Sequence, residues 1–380
     1  MRYLPVYRLM VGLIPAPQKS WRLASGDDRA GFARQAADIY RAHRCKGAAL
    51  GLFDAGGLHT HLVYGKARSK TPVEENTAFR TASVSKMVTV ALAMKLAEAG
   101  KIRLDQDLEG VLPYSLRHPR ARQLPITLKM LLSHTAGIRD GRAYLAALGQ
   151  EVPAEELLQQ DSHTDHLPGE GCEYSNFGVG LSACALEAAL DTSFEALAQT
   201  WLFEPLGMSA SFYPHRIRAP LANAWRVWPP GRKPAFDGKA RQQSVKAGWD
   251  LPQPGKHYSL AQGNCCMDVQ SAARLGQALM SPGFLSEESL LAMRAPAASL
   301  SHRDPALTQG IGTFILRDQS LSPRTLYGHQ GMAYGAVHMI FMDVKKKQGL
   351  ISFTSGVSLA RRHILADVNK ALIASWQERI

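Results

Sequence analysis

The sequence predicts a mixed α/β (α+β) fold, in which helices flank an antiparallel sheet and the chain carries an inserted all-helical domain. Two strand-like runs flank a glycine turn near the start, the pattern from Leu104 to about Phe212 is helical, and strand-like runs return near the end. This order indicates one sheet assembled from both ends of the chain. We expect an α/β domain over 27–104 together with 259–380, a helical insertion over 105–258, and an N-terminal arm or weak leader over 1–26.

The first elements are predicted from capping and turn residues. Asp27-Asp28 is typical of a helix start, and apolar residues recur at helical spacing as far as Tyr40. Ala48–Phe53 and Thr60–Tyr64 have the pattern of strands. The residues between them, Asp54-Ala55-Gly56-Gly57, favour a tight turn, so the two strands should form a hairpin.

The later elements are predicted from periodicity. Residues 213–258 are rich in proline, glycine and basic side chains, which predicts an irregular segment. A helix capped by Asp268 should follow, and a final helix should run from about Ala360 to Trp376. The helices of the insertion are predicted at Thr127–Leu132, Tyr144–Leu148, Ala154–Gln159, Gly178–Ala189 and Phe194–Leu202, and the late strands at Gly310–Leu316, Val337–Met342 and Leu350–Thr354.

Composition restricts the classes of function. The 380 residues are 46% hydrophobic and 20% charged, which is typical of a globular protein, and no apolar run reaches the roughly 18 residues of a transmembrane helix. A net charge of +12 is compatible with nucleic-acid binding, but no motif supports it. Five scattered cysteines form neither a C-x-x-C pair nor a zinc spacing. We expect a small-molecule or short-peptide substrate and no metal, cofactor or nucleic acid; the sequence leaves the oligomeric state open.

The N-terminus leaves two alternatives open. Met1-Arg2 can begin an export signal, but Arg8, Pro15 and Pro17 interrupt the apolar run that such a signal needs. The alternative is an arm that leads to the first helix.

Ser83-Val84-Ser85-Lys86 places a hydroxyl three residues before an amine. Three residues are about one helical turn, so the two side chains would share one face at roughly 5–6 Å. The apolar run from Met87 to Ala97, closed by Gly100, predicts a helix that is buried on most sides. A lysine pressed into apolar surroundings can lose its charge and take the proton of a serine nucleophile. Ser83 and Lys86 are therefore candidate catalytic residues.

Two further motifs supply partners for this pair. A chain of this length holds about one S-x-x-K by chance, so the assignment depends on them. Tyr174-Ser175-Asn176 follows a Pro-Gly turn, where the phenol is suited to proton transfer and the amide to holding a carbonyl or the lysine; a packed aromatic is the alternative for Tyr174. Among the K/H-x-G matches, only His329-Gln330-Gly331 has strand-like flanks, and Gly331 would let a substrate lie close to the strand.

In this order the three motifs resemble those of the penicillin-recognising serine hydrolases, especially class C β-lactamases, DD-peptidases and related esterases. The resemblance covers roughly residues 30–375 and implies a β-lactamase/transpeptidase-like fold. It also implies a periplasmic or other extracytoplasmic location, although the weak export signal keeps a cytoplasmic one possible. Similar flanking segments are Gly100–Asp105, Ile126-Thr127, Leu131–Gly137 and Phe203–Met208.

The resemblance implies catalytic roles for three residues. Ser83 would be the acylated nucleophile, and Lys86 would be its base or a proton relay. Tyr174 would be the general base for deacylation, with a hydroxyl that titrates low beside a cation. The implied chemistry is acyl transfer through a serine ester, followed by hydrolysis.

The resemblance also implies a set of substrate-binding residues. Asn176 would orient the substrate amide or the lysine, and His329 would take the place of the lysine or histidine of the third motif. Gln330, Gly331 and Met332 would lie along the substrate. The backbone N–H groups of the nucleophile and of Met332 would form the oxyanion hole.

Two departures from the family pattern bear on the substrate. Gln330 stands where the family usually has Thr or Ser, whose hydroxyl helps to grip a substrate carboxylate, and the segment 332–335 is bulkier than a glycine-rich run. Both weaken recognition of D-Ala-D-Ala peptides and β-lactams. We therefore expect a serine hydrolase of esters, amides or small peptides. The alternatives are a D-alanyl-D-alanine carboxypeptidase or class C-type β-lactamase, and a catalytically silent ligand-binding or scaffold relative.

Overall fold

The computed structural model describes residues 4–16, 20–28, 31–150, 152–228, 231–235, 250–300 and 303–378. Its main feature is a nine-stranded antiparallel sheet whose strands come from both ends of the chain. In chain order these strands are β1 (Trp21–Gly26), β2 (Gly47–Asp54), β3 (Gly57–Gly65), β9 (Ala298–Ser299), β10 (Leu307–Gln309), β11 (Phe314–Leu316), β12 (Leu326–Ala333), β13 (Ala336–Asp343) and β14 (Gln348–Ser355). Across the sheet they follow the order β1-β3-β2-β14-β13-β12-β11-β10-β9, so β14 joins the C-terminal strands to the N-terminal hairpin.

Five short strands form two smaller sheets. They are β4 (Phe79–Arg80), β5 (Ala210–Ser211), β6 (Trp225–Trp228), β7 (Gly231–Pro234) and β8 (Cys266–Met267). β8 pairs with both β4 and β5, so this small sheet connects the segment before Ser83 to the segments at 210 and 266. β6 and β7 form a separate hairpin.

The helices cover both faces of the large sheet. They are α1 (Leu4–Gly12), α2 (Phe32–Ala42), α3 (Ser85–Glu98), α4 (Leu128–Leu132), α5 (Arg142–Ala147), α6 (Ala154–Leu158), α7 (Asn176–Leu190), α8 (Phe194–Ala198), α9 (Val269–Met280), α10 (Glu287–Arg294) and α11 (Asp367–Gln377). None of these helices has the length and apolar character needed to cross a membrane.

The alternation of side chains along the strands divides the core into two layers. On β2, Leu50 belongs to the cluster that α2 and α11 cover, whereas Phe53 belongs to the cluster beneath α3 and α9. On β14, Leu350 and Ile351 divide in the same way. The cluster beneath α3 and α9 also contains the apolar side of α7. The buried α3 therefore lies between the large sheet and the helices of residues 128–198.

Most predicted elements are confirmed. The β2–β3 hairpin turns where the Asp54–Gly57 sequence predicted, and the carboxylate of Asp28 accepts a hydrogen bond from the N–H of Ala33 in the first turn of α2. Asp268 caps α9 by accepting the N–H of Ser271. The helices predicted between 127 and 202 are present, with boundaries that differ by at most four residues.

Three predicted elements differ. The strand expected over 310–316 is shortened to β11 at 314–316, because the chain turns at Gly312 (φ +65°) between β10, which ends at Gln309, and β11. The last helix begins at Asp367, whereas about Ala360 was predicted. The side chains of Asp304 and Gln330 accept the N–H groups of Ile364 and Ala366, respectively, and so hold the segment before the helix in a non-helical conformation. The irregular segment 213–258 includes the β6–β7 hairpin, while its residues 236–249 lie outside the described part of the chain.

The N-terminal segment supplies a strand to the large sheet and packs against residues from later in the chain. The expected arm over 1–26 ends in β1, which pairs with β3, so residues 21–26 are part of the large sheet. Val11 and Ile14 pack against Val227, and Arg8 forms an ion pair with Asp367. Met1-Arg2 lies outside the described residues. The division into two domains stays a prediction.

Candidate active site

Ser83 lies on a 3₁₀ turn, Ala82–Val84, immediately before α3. The helix itself begins at Ser85, so Ser83 precedes the helix and does not lie in its first turn as the sequence suggested. Ala82 has φ +48°, an unusual conformation for a residue with a side chain, and such strain is common beside functional groups. Every residue from 77 to 94 is buried except Ser83, so the fold presents this hydroxyl to solvent.

The backbone of Cys265 holds the turn from both sides. Its carbonyl accepts hydrogen bonds from the N–H of Thr81 at 2.8 Å and from the Thr81 hydroxyl at 3.0 Å. Its own N–H donates to the hydroxyl of Ser85 at 3.0 Å. The Cys265-Cys266 pair therefore acts here through its main chain, and both thiols are buried and outside any disulfide.

Lys86 is fully buried next to the nucleophile. Its Nζ lies 3.1 Å from Ser83 Oγ, 2.7 Å from Asn176 Oδ1 and 2.8 Å from the carbonyl oxygen of Gln262. Burial lowers the pKa of Lys86 to about 7, against an opposing effect of the Asp140 carboxylate. An amine with this pKa is half neutral near pH 7, and the neutral form has a lone pair that can accept the hydroxyl proton of Ser83.

Tyr174 is half-buried and completes the set around the nucleophile. Its hydroxyl is hydrogen-bonded to Ser83, and Lys86 Nζ lies 5.0 Å from the centre of its ring. Burial raises the pKa of Tyr174, the Ser83 hydrogen bond lowers it, and the Asp140 charge raises it, with a net increase. This direction is opposite to the low titration expected from the sequence, because desolvation outweighs the effect of the Ser83 hydrogen bond. The resting phenol is therefore protonated.

Two histidines that are neutral in the ordinary pH range lie on either side of Tyr174. The ring of His134 packs 4.4 Å from the Tyr174 ring, and its Nδ1 accepts the N–H of Ser175, so its proton is on Nε2. His329 bonds the carbonyl of Gln330 through Nδ1, which places its proton there. Burial lowers the pKa of His329 to about 3 and the pKa of His134 well below its usual value. In the described part of the chain no polar atom bonds to either Nε2.

Strand β12 passes directly beside the nucleophile turn. A Cβ atom at Gly331 would lie 2.2 Å from the carbonyl oxygen of Thr81 and 3.0 Å from the nitrogen of Ser83, so only glycine fits this approach. β11 pairs with β12 only from Leu326 to Gly328, and no other strand of the described residues pairs with that edge of His329–Ala333.

The structure places the Gln330 side chain away from this edge. Its amide donates to the carbonyl of Ile364 at 2.9 Å and accepts from the N–H of Ala366 and from Asn369, both at 2.8 Å. Because side chains alternate along a strand, Gln330 faces the opposite layer from His329. We therefore withdraw the expectation that its side chain contacts substrate. Met332 also packs on that layer, where its sulfur accepts from Arg361, so its backbone N–H is the part left for substrate.

Asn176 is held by a residue that sequence reasoning missed. It is the first residue of α7, which Ser175 caps by accepting the N–H of Gly178. Its Oδ1 accepts from Lys86, and its Nδ2 donates to Asp140 Oδ2 at 2.7 Å. His134 and Asp140 were missed as site residues; the only signal was that they lie in or just after the Leu131–Gly137 segment noted as a flank.

Comparisons with known proteins show which family the chain resembles. A family model described as Beta-lactamase matches residues 32–375. Penicillin-binding protein 4 of Amycolatopsis lactamdurans is 31% identical over 172 residues, which are 44% of this chain and 45% of that protein. The lovastatin esterase of Penicillium rubens is 26% identical over 76% of this chain and 79% of its own length. The chain spans less than half the length of the first curated relatives it matches.

A solved structure shows the same fold. EstCE1, described as a hydrolase with promiscuous acyltransferase activity, matches with a TM-score of 0.73 and 21% identity over 91% of this chain and 96% of its own. At this identity the likeness concerns the fold. Because the family model spans most of the chain and the three motifs meet at one site, this protein belongs to the beta-lactamase family.

Proposed function

We propose that this protein is a serine hydrolase that forms an acyl ester on Ser83 and then hydrolyses it. The observation that carries the proposal is the fully buried Lys86, whose Nζ lies 3.1 Å from a serine hydroxyl that is accessible to solvent. A buried amine with a pKa of about 7 is matched to proton transfer at neutral pH.

In the acylation step, Ser83 Oγ attacks the substrate carbonyl carbon while its proton moves to the neutral Nζ of Lys86. The protonated lysine is stabilised by Asn176 Oδ1 and the Gln262 carbonyl, which accept its other hydrogens. The negative charge formed on the substrate oxygen would be stabilised by the N–H groups of Ser83 and Met332. Ser83 also lies at the N-terminal end of α3, where the helix dipole favours negative charge.

In the next step the tetrahedral intermediate collapses and the leaving group takes a proton. Tyr174 is placed to donate it, because its hydroxyl bonds Ser83 and its raised pKa keeps the phenol protonated. The Lys86 ammonium then returns a proton to the Tyr174 phenolate, which restores the phenol and the neutral amine. A water molecule then attacks the carbonyl carbon of the acyl-serine, and one of its protons passes through Tyr174 and Lys86 to Ser83 Oγ. The ester bond breaks, and the acid and free Ser83 are released.

The structure favours ester substrates over peptides that end in a free carboxylate. The third motif has Gln330, which carries no hydroxyl, immediately before Gly331. The Gln330 side chain is also turned to the opposite layer of the sheet. His329 is neutral and adds no cation that would attract a carboxylate. The lovastatin esterase is also a relative matched over most of its length. Hydrolysis of D-alanyl peptides or β-lactams is the second candidate, on the likeness to a penicillin-binding protein.

Covalent labelling tests the proposal. The protein is treated separately with a fluorophosphonate and a fluorescent penicillin, and the adduct is located by peptide mass spectrometry with Ser83→Ala as the control. We expect the fluorophosphonate to label Ser83 and the penicillin to label it poorly or not at all. Efficient penicillin labelling would support the second candidate. Folded protein that neither reagent labels would favour the catalytically silent alternative.

A pair of lysine variants tests the role of Lys86. Lys86→Ala should lower kcat/KM for an activated ester by at least about 100-fold, as expected for loss of a general base. Lys95→Ala, on the same helix, removes an amine that bonds the carbonyl of Phe284 and should leave turnover nearly unchanged. Tyr174→Phe should also lose at least about 100-fold for substrates with a poor leaving group. Wild-type rates in Lys86→Ala and Tyr174→Phe would show that the assigned roles are wrong.

A further inference from the structure

Asp140 binds three consecutive residues at the start of α7. Its Oδ1 accepts the Ser175 hydroxyl at 3.0 Å and the N–H of Phe177 at 2.9 Å, and its Oδ2 accepts Nδ2 of Asn176 at 2.7 Å. Asp140 itself is partly buried in the loop between α4 and α5. This loop is tied down on its other side, where the N–H of Arg139 bonds a backbone carbonyl at 2.9 Å.

We propose that Asp140 is the positioning residue of this site: through the amide of Asn176 it holds the amine of Lys86 against Ser83, and it supplies the negative charge beside that amine. The proposal rests on the proposed function, in which Lys86 takes the proton of Ser83. It adds a fourth member to the chain of contacts, which then runs from Asp140 through Asn176 and Lys86 to Ser83.

The first argument concerns the orientation of the Asn176 amide. An amide has one donor end and one acceptor end, and rotation by half a turn exchanges them. An ionised carboxylate can only accept, so Asp140 selects the orientation in which Nδ2 faces it and Oδ1 faces Lys86. Without Asp140 the flipped amide would present N–H groups to the lysine. Nζ would then lose its 2.7 Å acceptor and the restraint that directs it toward the serine.

The second argument concerns charge. The titratable groups that face Lys86 are Tyr174, His134, His329 and Asp140. Burial raises the pKa of Tyr174 and lowers the pKa of both histidines, so these three groups are uncharged near pH 7. Asp140 raises the pKa of Lys86, whereas burial lowers it. Removing the carboxylate should therefore make Lys86 lose its proton at a lower pH.

The test compares Asp140→Asn with Asp161→Asn. Asp161 is the matched control because it binds the N–H groups of Arg142 and Ala143 at the start of α5, next to Asp140, but has no contact with Asn176 or Lys86. In Asp140→Asn we expect kcat/KM for an activated ester to fall by about 10-fold or more at its plateau, as small misplacements of a catalytic group do. We also expect the acid limb of its pH profile to move to lower pH. Asp161→Asn should keep both the acid limb of the wild type and a plateau within about threefold of wild type, because this variant retains the contact between Asp140 and Asn176.

A second measurement does not depend on turnover. The titration of Lys86 can be followed by ¹³C NMR of lysine-labelled protein, with its signal identified by its loss in Lys86→Arg. In Asp140→Asn this signal should titrate at a lower pH than in the wild type, and in Asp161→Asn at the same pH. Equal titration in all three proteins would overturn the inference and reduce Asp140 to a helix-capping residue. If Ser83 resists labelling while the titration shifts as expected, the proposed function fails and the positioning role stands.

Discussion

Replacing Gly331 by alanine should disrupt catalysis at the point where β12 meets the nucleophile turn. The added Cβ would lie 2.2 Å from the carbonyl oxygen of Thr81, whereas ordinary van der Waals contact begins at 3.4 Å. One of the two backbones must therefore retreat by about 1.2 Å. The turn is held by Cys265 and the strand by its pairing with β13, so the displacement separates the Ser83 and Met332 N–H groups. A misplacement of about 1 Å can cost a factor of about 100 in rate.

The assay is kcat/KM for a p-nitrophenyl ester, with thermal unfolding as the check on folding. Gly231→Ala is the control, because a Cβ there meets nothing within 4 Å on strand β7. We expect Gly331→Ala to fold and to lose about 100-fold in kcat/KM, while Gly231→Ala retains wild-type activity. If folded Gly331→Ala keeps its rate within about twofold, the strand edge does not form part of the oxyanion hole and the reasoning is wrong.

Three other measurements test separate features. The kcat/KM of the wild type should rise about tenfold per pH unit below about pH 7 and then level off, because Lys86, with a pKa of about 7, must be unprotonated to act as base; a profile that is level down to about pH 5 would exclude this role. Gln330→Ala should lower the free energy of unfolding, measured in urea, by about 2–4 kcal/mol, because it leaves buried partners at Ile364 and Ala366 unpaired. Its ester turnover should stay within about threefold of wild type, and a loss beyond that in folded protein would return Gln330 to the substrate contacts. Ellman's reagent should find almost no reactive thiol in the native protein and five after unfolding, because all five cysteines are buried and burial raises the pKa of Cys265 well above its usual value; rapid native reaction would contradict this burial.

Local patterns were sufficient to predict most of the secondary structure. The turn at Asp54–Gly57, the cap at Asp268 and the apolar run after Ser83 each depend on interactions within a few residues, and each is present in the structure. The segment 310–316 was harder to predict, because the turn at Gly312 depends on packing against Val90, far away in sequence.

The candidate site was only partly predictable. Lys86 and Asn176 lie 90 positions apart and meet at 2.7 Å, and only their order along the chain connected them beforehand. Asp140 left no recognisable pattern, because a carboxylate in a loop is usually solvated. The pKa of Tyr174 was expected to fall beside a cation, but the amount of burial that raises it depends on the His134 and His329 rings packed around it.

The sequence by itself determined the fold class, the family resemblance and the choice of Ser83 and Lys86 as candidate nucleophile and base. These depend on residue types, spacings and order, which a chain carries before it folds. The tertiary structure alone decided that the Gln330 side chain is bound within the fold, that Gly331 admits no side chain, and that the amide of Asn176 contacts both Asp140 and Lys86. The physical reason is that strand register and long-range packing determine which face a side chain occupies and how far it is removed from water, and these two properties set its hydrogen bonds and its pKa.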